Sequence, residues 1–443
     1  MALEGFTLDD SNIEEIQITP NKELEWHPCY QFANPGFQCA RLTVPLNNNP
    51  QSLGVHIALL MLAAKNATAA LASPKSPLLI NPGGPGGSGV LFALGSGPAL
   101  QSILGDNQPV IGFDPRGIGF TTPGADCWAT PPACDGCPED HFNGMLNRIE
   151  WMTVSTAYGT LNSSNVAMKY IDVSHRAVNN LCKAKNGQLG GESILGHAAT
   201  PHVATDMVSI VDAWEQWVDR KTEASGIIPE PNPTKGKLVF WGFSYGTYLG
   251  ATFASMYPDR VGRVVLDGVV DADYYPTPMW TESLLDADKV LGQFFKYCAA
   301  VGPRCPLHRS GDKSADISKR YYQILQQLED SPPSFTHPEF FYPVILRVGI
   351  IKTLVFRVLY SPAVGFPPLA EFLNILYKGD FERLAPLFTR LQAMCQLEDT
   401  PVLSLVSDAQ RAIMCGDKTQ PVRFNSPLNH LSQGRKLLTR FPG

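Results

Sequence analysis

The sequence predicts an α/β protein in which a mostly parallel sheet is covered by helices and interrupted by a helical insertion. Two observations carry this prediction. Short apolar runs bounded by Gly, Pro and Asn recur at wide spacing, with stretches of helical periodicity between them. From Pro276 to Cys415 the short runs cease and helical spacing continues alone.

In chain order, the runs His56 to Leu62, Pro77 to Asn81, Pro109 to Phe113, Lys237 to Phe243 and Arg263 to Asp267 read as buried strands. Between the third and fourth, Val203, Met207, Ile210, Val211 and Trp214 fall on one face of a helix over Val203 to Val218. Strands that alternate with helices imply a parallel sheet buried on both faces. The prolines at 229, 231 and 233 stiffen a connector just before the fourth run. In the insertion, helical spacing covers Glu282 to Val301, Ala315 to Leu328, Leu346 to Leu359 and Leu369 to Leu387. No internal repeat or low-complexity tract is present.

Composition excludes several classes of function. The 443 residues are 44% hydrophobic and 17% charged, which describes a folded globular chain rather than a disordered or coiled-coil one. Lys and Arg number 35 against 41 Asp and Glu, a net charge of −6 with no long block of one sign. That balance leaves no electrostatic footprint for nucleic acid or an anionic membrane. The longest apolar stretch, Val55 to Ala72, is broken by Lys65 and Asn66 and falls short of the roughly 20 apolar residues of a membrane span.

Met1 to Pro20 carries Glu and Asp where an export signal would begin basic and continue apolar, so an intracellular location is expected. Ten cysteines, at 29, 39, 127, 134, 137, 182, 298, 305, 395 and 415, point the other way, toward an oxidising ancestry with paired or buried thiols. Cys134 and Cys137 have the spacing of half a zinc site but no second pair accompanies them, and no metal or cofactor is expected. Asn66-Ala67-Thr68 and Asn162-Ser163-Ser164 fit the glycosylation sequon.

The sharpest chemical signal is Leu238-Val239-Phe240-Trp241-Gly242-Phe243-Ser244-Tyr245-Gly246, followed by helical spacing over Thr247 to Tyr257. An apolar strand, a Gly-x-Ser-x-Gly turn and a helix place the serine on a cramped bend, with glycines letting neighbouring backbones approach. The hydroxyl of Ser244 is then presented above the sheet at the positive end of a helix, as a nucleophile requires.

The second signal is Leu79-Ile80-Asn81-Pro82-Gly83-Gly84-Pro85-Gly86-Gly87-Ser88-Gly89, again leaving a strand. Such a loop can turn main-chain N–H groups inward, and a tetrahedral oxyanion needs two donors. Gly84 is the candidate for one and the amide of Tyr245, next after the nucleophile, for the other. A phosphate-binding loop is disfavoured because no Gly-Lys-Ser/Thr follows and no Gly-x-Gly-x-x-Gly opens a helix. A third signal, Ile111-Gly112-Phe113-Asp114-Pro115-Arg116-Gly117, reads as a structural turn near that loop.

Taken together, the loop Asn81 to Gly89, the Asp114 to Gly117 turn, the Gly242 to Gly246 bend, Pro258-Asp259-Arg260-Val261 and Leu266-Asp267-Gly268 resemble the α/β-hydrolases of the tripeptidyl and prolyl aminopeptidase branch. Trp26 with Cys29, the segment Cys39 to Leu46 and Ala412-Ile413-Met414-Cys415 extend the resemblance over nearly the whole chain, and the wording is most similar to fungal members. The resemblance implies an α/β-hydrolase fold, a helical cap over the active site, and a serine hydrolase acting on peptide N-termini or related amides and esters. The expected division is 1–275 for the hydrolase core, 276–415 for the cap and 416–443 for the start of a C-terminal core segment.

In this fold the acid and the histidine follow the serine in chain order. The resemblance places both after the cap, yet the chain ends at Gly443, shortly after Cys415. Asn425-Ser426-Pro427-Leu428 is similar to a remnant of the acid turn, with Arg423 near the expected aspartate, and Phe441-Pro442-Gly443 resembles a point short of the histidine loop. The C-terminal strands and helix are therefore expected to be incomplete, leaving an unpaired apolar strand edge.

Asp267 and Asp271 are candidates for the acid, and His430, the one histidine after the cap, for the base. The histidines at 27, 56, 141, 175, 197, 202, 308 and 337 read as surface or core residues. The reading is a serine hydrolase that cleaves a peptide N-terminal amide or a small-molecule amide, ester or lactone through an acyl-enzyme on Ser244, with a role in fungal metabolite biosynthesis. Two rivals stand beside it: a catalytically impaired binding protein, and an acyltransferase or cyclase using the same pocket. A peptide or small molecule is the expected partner, and the sequence sets no oligomeric state.

Overall fold

The computed structural model describes residues 18–47, 52–128, 141–155, 165–188, 192–277, 282–336, 343–384 and 407–418. Seven strands form one sheet: β1 (His27–Pro28), β2 (Phe37–Pro45), β3 (Gly54–Leu62), β4 (Leu78–Asn81), β5 (Val110–Phe113), β6 (Leu238–Phe243) and β7 (Val261–Asp267). Their spatial order is β1-β2-β3-β5-β4-β6-β7. β1, β2, β3 and β5 pair antiparallel in succession, whereas β5, β4, β6 and β7 are parallel neighbours. Strand β2 thus runs with the parallel set, so the sheet is mixed but mostly parallel. The five apolar runs picked out by sequence are β3 to β7.

The helices of this part are α1 (Ala67–Ala72), α2 (Gly89–Leu104), α3 (His141–Ser155), α4 (Asn165–Gln188), α5 (Thr200–Ser225) and α6 (Tyr245–Met256); α2 packs on one face of the sheet, and α5 and α6 pack on the other. Alternation along β3 shows the pleat at work. Ile57, Leu59 and Met61 join one cluster with Met207, Ile210 and Trp214 of α5 and Phe253 of α6, while Ala58, Leu60 and Leu62 join another with Val90 and Ala93 of α2. Each fully buried Leu, Ile or Phe of these clusters contributes about 1.5–3 kcal/mol relative to exposure. Asn66, one of the sequon asparagines, caps α1 by accepting the amide of Ala69 at 2.9 Å.

At the far edge, β7 exposes Val265 and Leu266, and Val269 just beyond it is exposed as well. Among the described residues β7 pairs with β6 alone.

The insertion contains α7 (Ala287–Val301), α8 (Ser314–Asp330), α9 (Val348–Val358) and α10 (Pro362–Lys378). These helices bury a cluster of their own, with Phe294, Ile317, Ile324, Leu346, Ile351 and Leu373 among its members. Three expectations need correction. The segment also holds a small antiparallel hairpin, β8 (Ser334–Thr336) with β9 (Pro343–Ile345), whose strands are too short for period-two patterning to register. The first helix is split, with a single turn at Glu282–Leu284 ahead of α7. The last begins at Pro362 and contains Pro367 and Pro368, which read as breakers in sequence, and it ends at Lys378 against Gly379 at φ 73°.

Helix α11 (Ser407–Gly416) falls within the stretch assigned to the cap, yet Ala409 and Ile413 pack into the sheet's core with Val203 and Met207. Its N-terminal end is held by Asp408, which pairs with Arg148 and accepts the amide of Cys127 at 3.2 Å.

Among the described residues, disulfides link Cys29 to Cys39, Cys127 to Cys182 and Cys298 to Cys305. Cys415 is exposed and has no partner among the described residues. Cys134, Cys137, Cys395, Asn162 and everything after Lys418, including Arg423, the Asn425 to Leu428 turn, His430 and Phe441 to Gly443, lie outside the described residues. No helix of the described residues is long and apolar enough to cross a membrane.

Candidate active site

Ser244 sits between the last residue of β6 and the first of α6, at φ 53° and ψ −123°. A non-glycine residue held there costs about 1–3 kcal/mol, so the surroundings must enforce it. Its amide donates to the carbonyl of Asp267 at 3.0 Å. Its own carbonyl accepts from the amide of Thr247 at 2.9 Å and from Thr247 Oγ1 at 2.6 Å. Thr247 Oγ1 in turn accepts the amide of Val270 at 2.9 Å. The bend is thereby tied to the segment after β7, and the Ser244 side chain is left exposed. The flanking glycines are needed sterically: a methyl group on Gly242 would stand 2.3 Å from the carbonyl oxygen of Gly246, and one on Gly246 would stand 2.8 Å from that of Asn81.

The glycine-rich loop lies against this bend. Gly83 and Gly84 take φ values of 92° and 120°, which L side chains rarely adopt. Asn81, buried at the end of β4, accepts the amide of Gly83 at 2.9 Å and starts the turn. A methyl group on Gly83 would fall 2.4 Å from the Phe243 carbonyl oxygen and 2.9 Å from the Tyr245 amide nitrogen. Ser244, the Gly83-Gly84 loop and the Tyr245 amide are therefore brought together, with Gly84 exposed beside them.

The Asp114 to Gly117 turn supports the loop from beneath. Asp114 Oδ1 accepts from Ser88 Oγ at 2.6 Å and from the Val90 amide at 3.0 Å, while Oδ2 accepts the Phe120 amide at 2.8 Å. It thus fixes the start of α2, where the glycine loop ends. Burial pushes the Asp114 carboxyl up to about 6, opposed by these hydrogen bonds. Arg116 is a second buried hub. Its Nε and Nη2 donate to Asp206 at 2.7 and 2.5 Å, and its remaining N–H groups reach the carbonyls of Leu46, His197 and Pro45. Burial holds Asp206 above the usual carboxylate range, with the Arg116 bonds pulling it back.

Asp267 closes β7 with its side chain exposed, and it meets Ser244 through its carbonyl rather than its carboxylate. Asp271 is engaged in a local turn, accepting the amides of Asp273 and Tyr274 at 2.9 and 3.1 Å. Among the described residues no histidine or carboxylate is hydrogen-bonded to the Ser244 hydroxyl. His56 bonds Thr43 at 3.0 Å, and the rings of His197 and His202 face each other at 5.4 Å. Burial pushes His202 down, with Arg116 and His197 adding to the shift. His337 lies outside the described residues, as does the side chain of His141.

Sequence reasoning did not reach a buried polar cluster behind Tyr245. The Tyr245 hydroxyl meets Thr200 Oγ1, which also lies 2.6 Å from Asp417 Oδ2. Asp417 further accepts the Thr200 amide at 2.7 Å and the Tyr275 hydroxyl at 3.2 Å. Cys127, Cys182 and Asp408 are close enough together to hold an ion, but the two thiols are already joined as a disulfide.

Comparison with known proteins agrees with this geometry. Residues 234–335, which include the serine bend and β7, match the α/β hydrolase fold family. The chain is 28% identical over 316 residues to "Serine protease Hip1" of Mycobacterium tuberculosis, covering 69% of this chain and 50% of that protein. To "Tripeptidyl aminopeptidase" of Streptomyces coelicolor it is 25% identical over 312 residues, covering 68% and 48%. To "Putative hydrolase YuaR" of Escherichia coli it is 23% identical over 327 residues, covering 70% and 53%. The chain spans about half the length of these relatives. Strand order, serine bend and family match lead to one conclusion: this chain has the α/β-hydrolase fold.

Proposed function

We propose that the chain is a serine hydrolase in which Ser244 Oγ attacks a substrate carbonyl while the amides of Gly84 and Tyr245 receive the developing oxyanion. The observation that carries this reading is the exposed Ser244 at φ 53°, with the Gly83-Gly84 loop packed backbone to backbone against it. Strain of this kind persists where a reactive group must be presented, and two amides preorganised beside it stabilise the tetrahedral intermediate. The proton of Ser244 passes to a base outside the described residues, for which His430 is the candidate. Asp267, exposed beside the bend, stays the candidate acid. The helices of 287–384 act as the cap that selects the substrate.

The relatives' names favour a peptide with a free N-terminus as substrate, cleaved through an acyl-enzyme, with small-molecule amides, esters and lactones as the wider class. The disulfides of the described residues favour an oxidising compartment over an intracellular one. The test is hydrolysis of a tripeptide p-nitroanilide with a free amine, its N-acetylated counterpart and a p-nitrophenyl ester. The reading expects turnover that falls by roughly 10³-fold or more in Ser244→Ala, and preference for the free amine.

A second reading, a binding protein that has lost turnover, is favoured by the lack of a base bonded to Ser244 among the described residues. It expects saturable binding of the same peptides with no product release and no effect of Ser244→Ala.

A further inference from the structure

Tyr245 has two parts with separate tasks. Its main-chain N–H is the donor that the proposed reaction needs, while its side chain is buried behind the bend, 4% exposed. The proton count in that buried cluster has one solution when Asp417 is ionised. A carboxylate only accepts, so the single proton of Thr200 Oγ1 goes to Asp417 Oδ2 at 2.6 Å, and Thr200 Oγ1 must accept from the Tyr245 hydroxyl. The Thr200 amide and the Tyr275 hydroxyl fill further acceptor positions on the same carboxylate. Four distant segments therefore meet at one charge: the serine bend, the start of α5, the segment after β7, and the residue following α11. The rings of Tyr245 and Tyr275 pack with centroids 5.5 Å apart, and Tyr248 closes the group at 4.4 Å from Tyr275.

We propose that Asp417 and Thr200 are positioning residues that hold Tyr245, and with it the oxyanion-binding amide, in register with Ser244. This rests on the serine-hydrolase reading. A chain of directed hydrogen bonds ending on a buried carboxylate fixes the phenol at one point, and the ring transmits that constraint to the first residue of α6. Burial holds Asp417 above the usual carboxylate range, opposed by the Thr200 and Tyr275 bonds, so the charge at this point depends on those partners. Asp417 is within the last described segment and is linked to the bend through Thr200 and through the ring of Tyr275, so its effect on the reaction is indirect.

The test measures inactivation by a fluorophosphonate, separating the maximal rate kinact from the half-saturating concentration KI, for the full chain and for Asp417→Asn, Thr200→Val, Thr200→Ser and Tyr245→Phe. Thermal melts accompany each variant. Displacing an oxyanion donor by about 1 Å costs on the order of 100-fold. The proposal expects kinact to fall about tenfold or more in Asp417→Asn, Thr200→Val and Tyr245→Phe, with KI within about twofold, and Thr200→Ser to restore the rate that Thr200→Val loses. If Asp417→Asn fails to fold, the Thr200 pair and Tyr245→Phe decide the question. Wild-type kinact in folded Thr200→Val and Tyr245→Phe overturns the positioning role and leaves the hydrolase reading standing. Absence of Ser244-dependent labelling in the unaltered chain overturns both.

Discussion

A methyl group on Gly83 would stand 2.4 Å from the carbonyl oxygen of Phe243, so the glycine loop and the serine bend meet with no side chain between them. That contact joins two motifs separated in the chain by α2, β5 and the whole of α3 to α5. It also explains why the loop needs a glycine whose φ is 92°.

Gly83→Ala should accordingly disable the site. The left-handed backbone costs a residue with Cβ about 1–2 kcal/mol, and overpacking adds about 1–3 kcal/mol. The loop is expected to shift and labelling of Ser244 to fall by about 100-fold. Gly95→Ala, in α2 where an added Cβ meets nothing within 4 Å, serves as the control and should label normally. Equal labelling rates in both would break the link drawn between loop and bend.

Arg116 and Asp206 form a buried pair whose guanidinium makes five hydrogen bonds to four groups, the Asp206 carboxylate and the carbonyls of Leu46, His197 and Pro45. Arg116→Ala leaves Asp206 charged and unpaired in the core and should cost about 3–5 kcal/mol in urea unfolding. Arg116→Lys should recover only part, because an ammonium cannot reproduce the two-point contact. A loss below about 1 kcal/mol for Arg116→Ala would show that the pair is not the hub described, being the size of an exposed ion pair.

Much of this architecture is legible in the residues. Strands β3 to β7 are apolar on both faces and announce themselves as short runs. Strand β2 does not, because Gln38, Arg41 and Thr43 interrupt its apolar residues. Helices α3 and α4 do carry apolar residues at helical spacing, Phe142, Met145, Leu146, Ile149 and Met152 in α3 and Val166, Tyr170, Val173 and Leu181 in α4. Val166, Tyr170, Val173 and Leu181 of α4 are exposed, so its burial does not follow the pattern that sequence periodicity detects. Ser244 and the Gly83-Gly84 loop are readable because steric need dictates glycine locally. The pairing of Arg116 with Asp206 is half readable: an acid on the apolar face shared by Val203, Met207 and Ile210 signals a buried partner without naming it. Asp417 carries no such signal, since its partners come from segments that only the fold brings together.

Asp114 gives the fold a pH dependence of known sign. Its carboxyl, at about 6 in the folded chain, titrates near 3.9 when unfolded. The folded state binds the proton more tightly, so this group's contribution is full below about pH 4 and is lost as pH rises toward 6. The difference in Tm between the unaltered chain and Asp114→Asn should therefore shrink over that interval and then level off. A difference that widens with rising pH would contradict the assignment.

The Cys127–Cys182 bridge closes a loop of 55 residues and ties α4 to the segment that receives Asp408. Replacing both cysteines with alanine should cost about 2–5 kcal/mol, read as a lower midpoint of urea unfolding. An unchanged midpoint would show that this link adds nothing to what the core already holds.

A nucleophilic Ser244 would carry a hydroxyl chemically set apart from the others in the chain. Mass spectrometry of the folded protein after exposure to a fluorophosphonate tests it most directly. A single covalent adduct is expected, mapped to the peptide that contains Ser244 and absent from Ser244→Ala. Folded protein that takes up no adduct, or an adduct that persists on another residue when Ser244 is replaced, would contradict it.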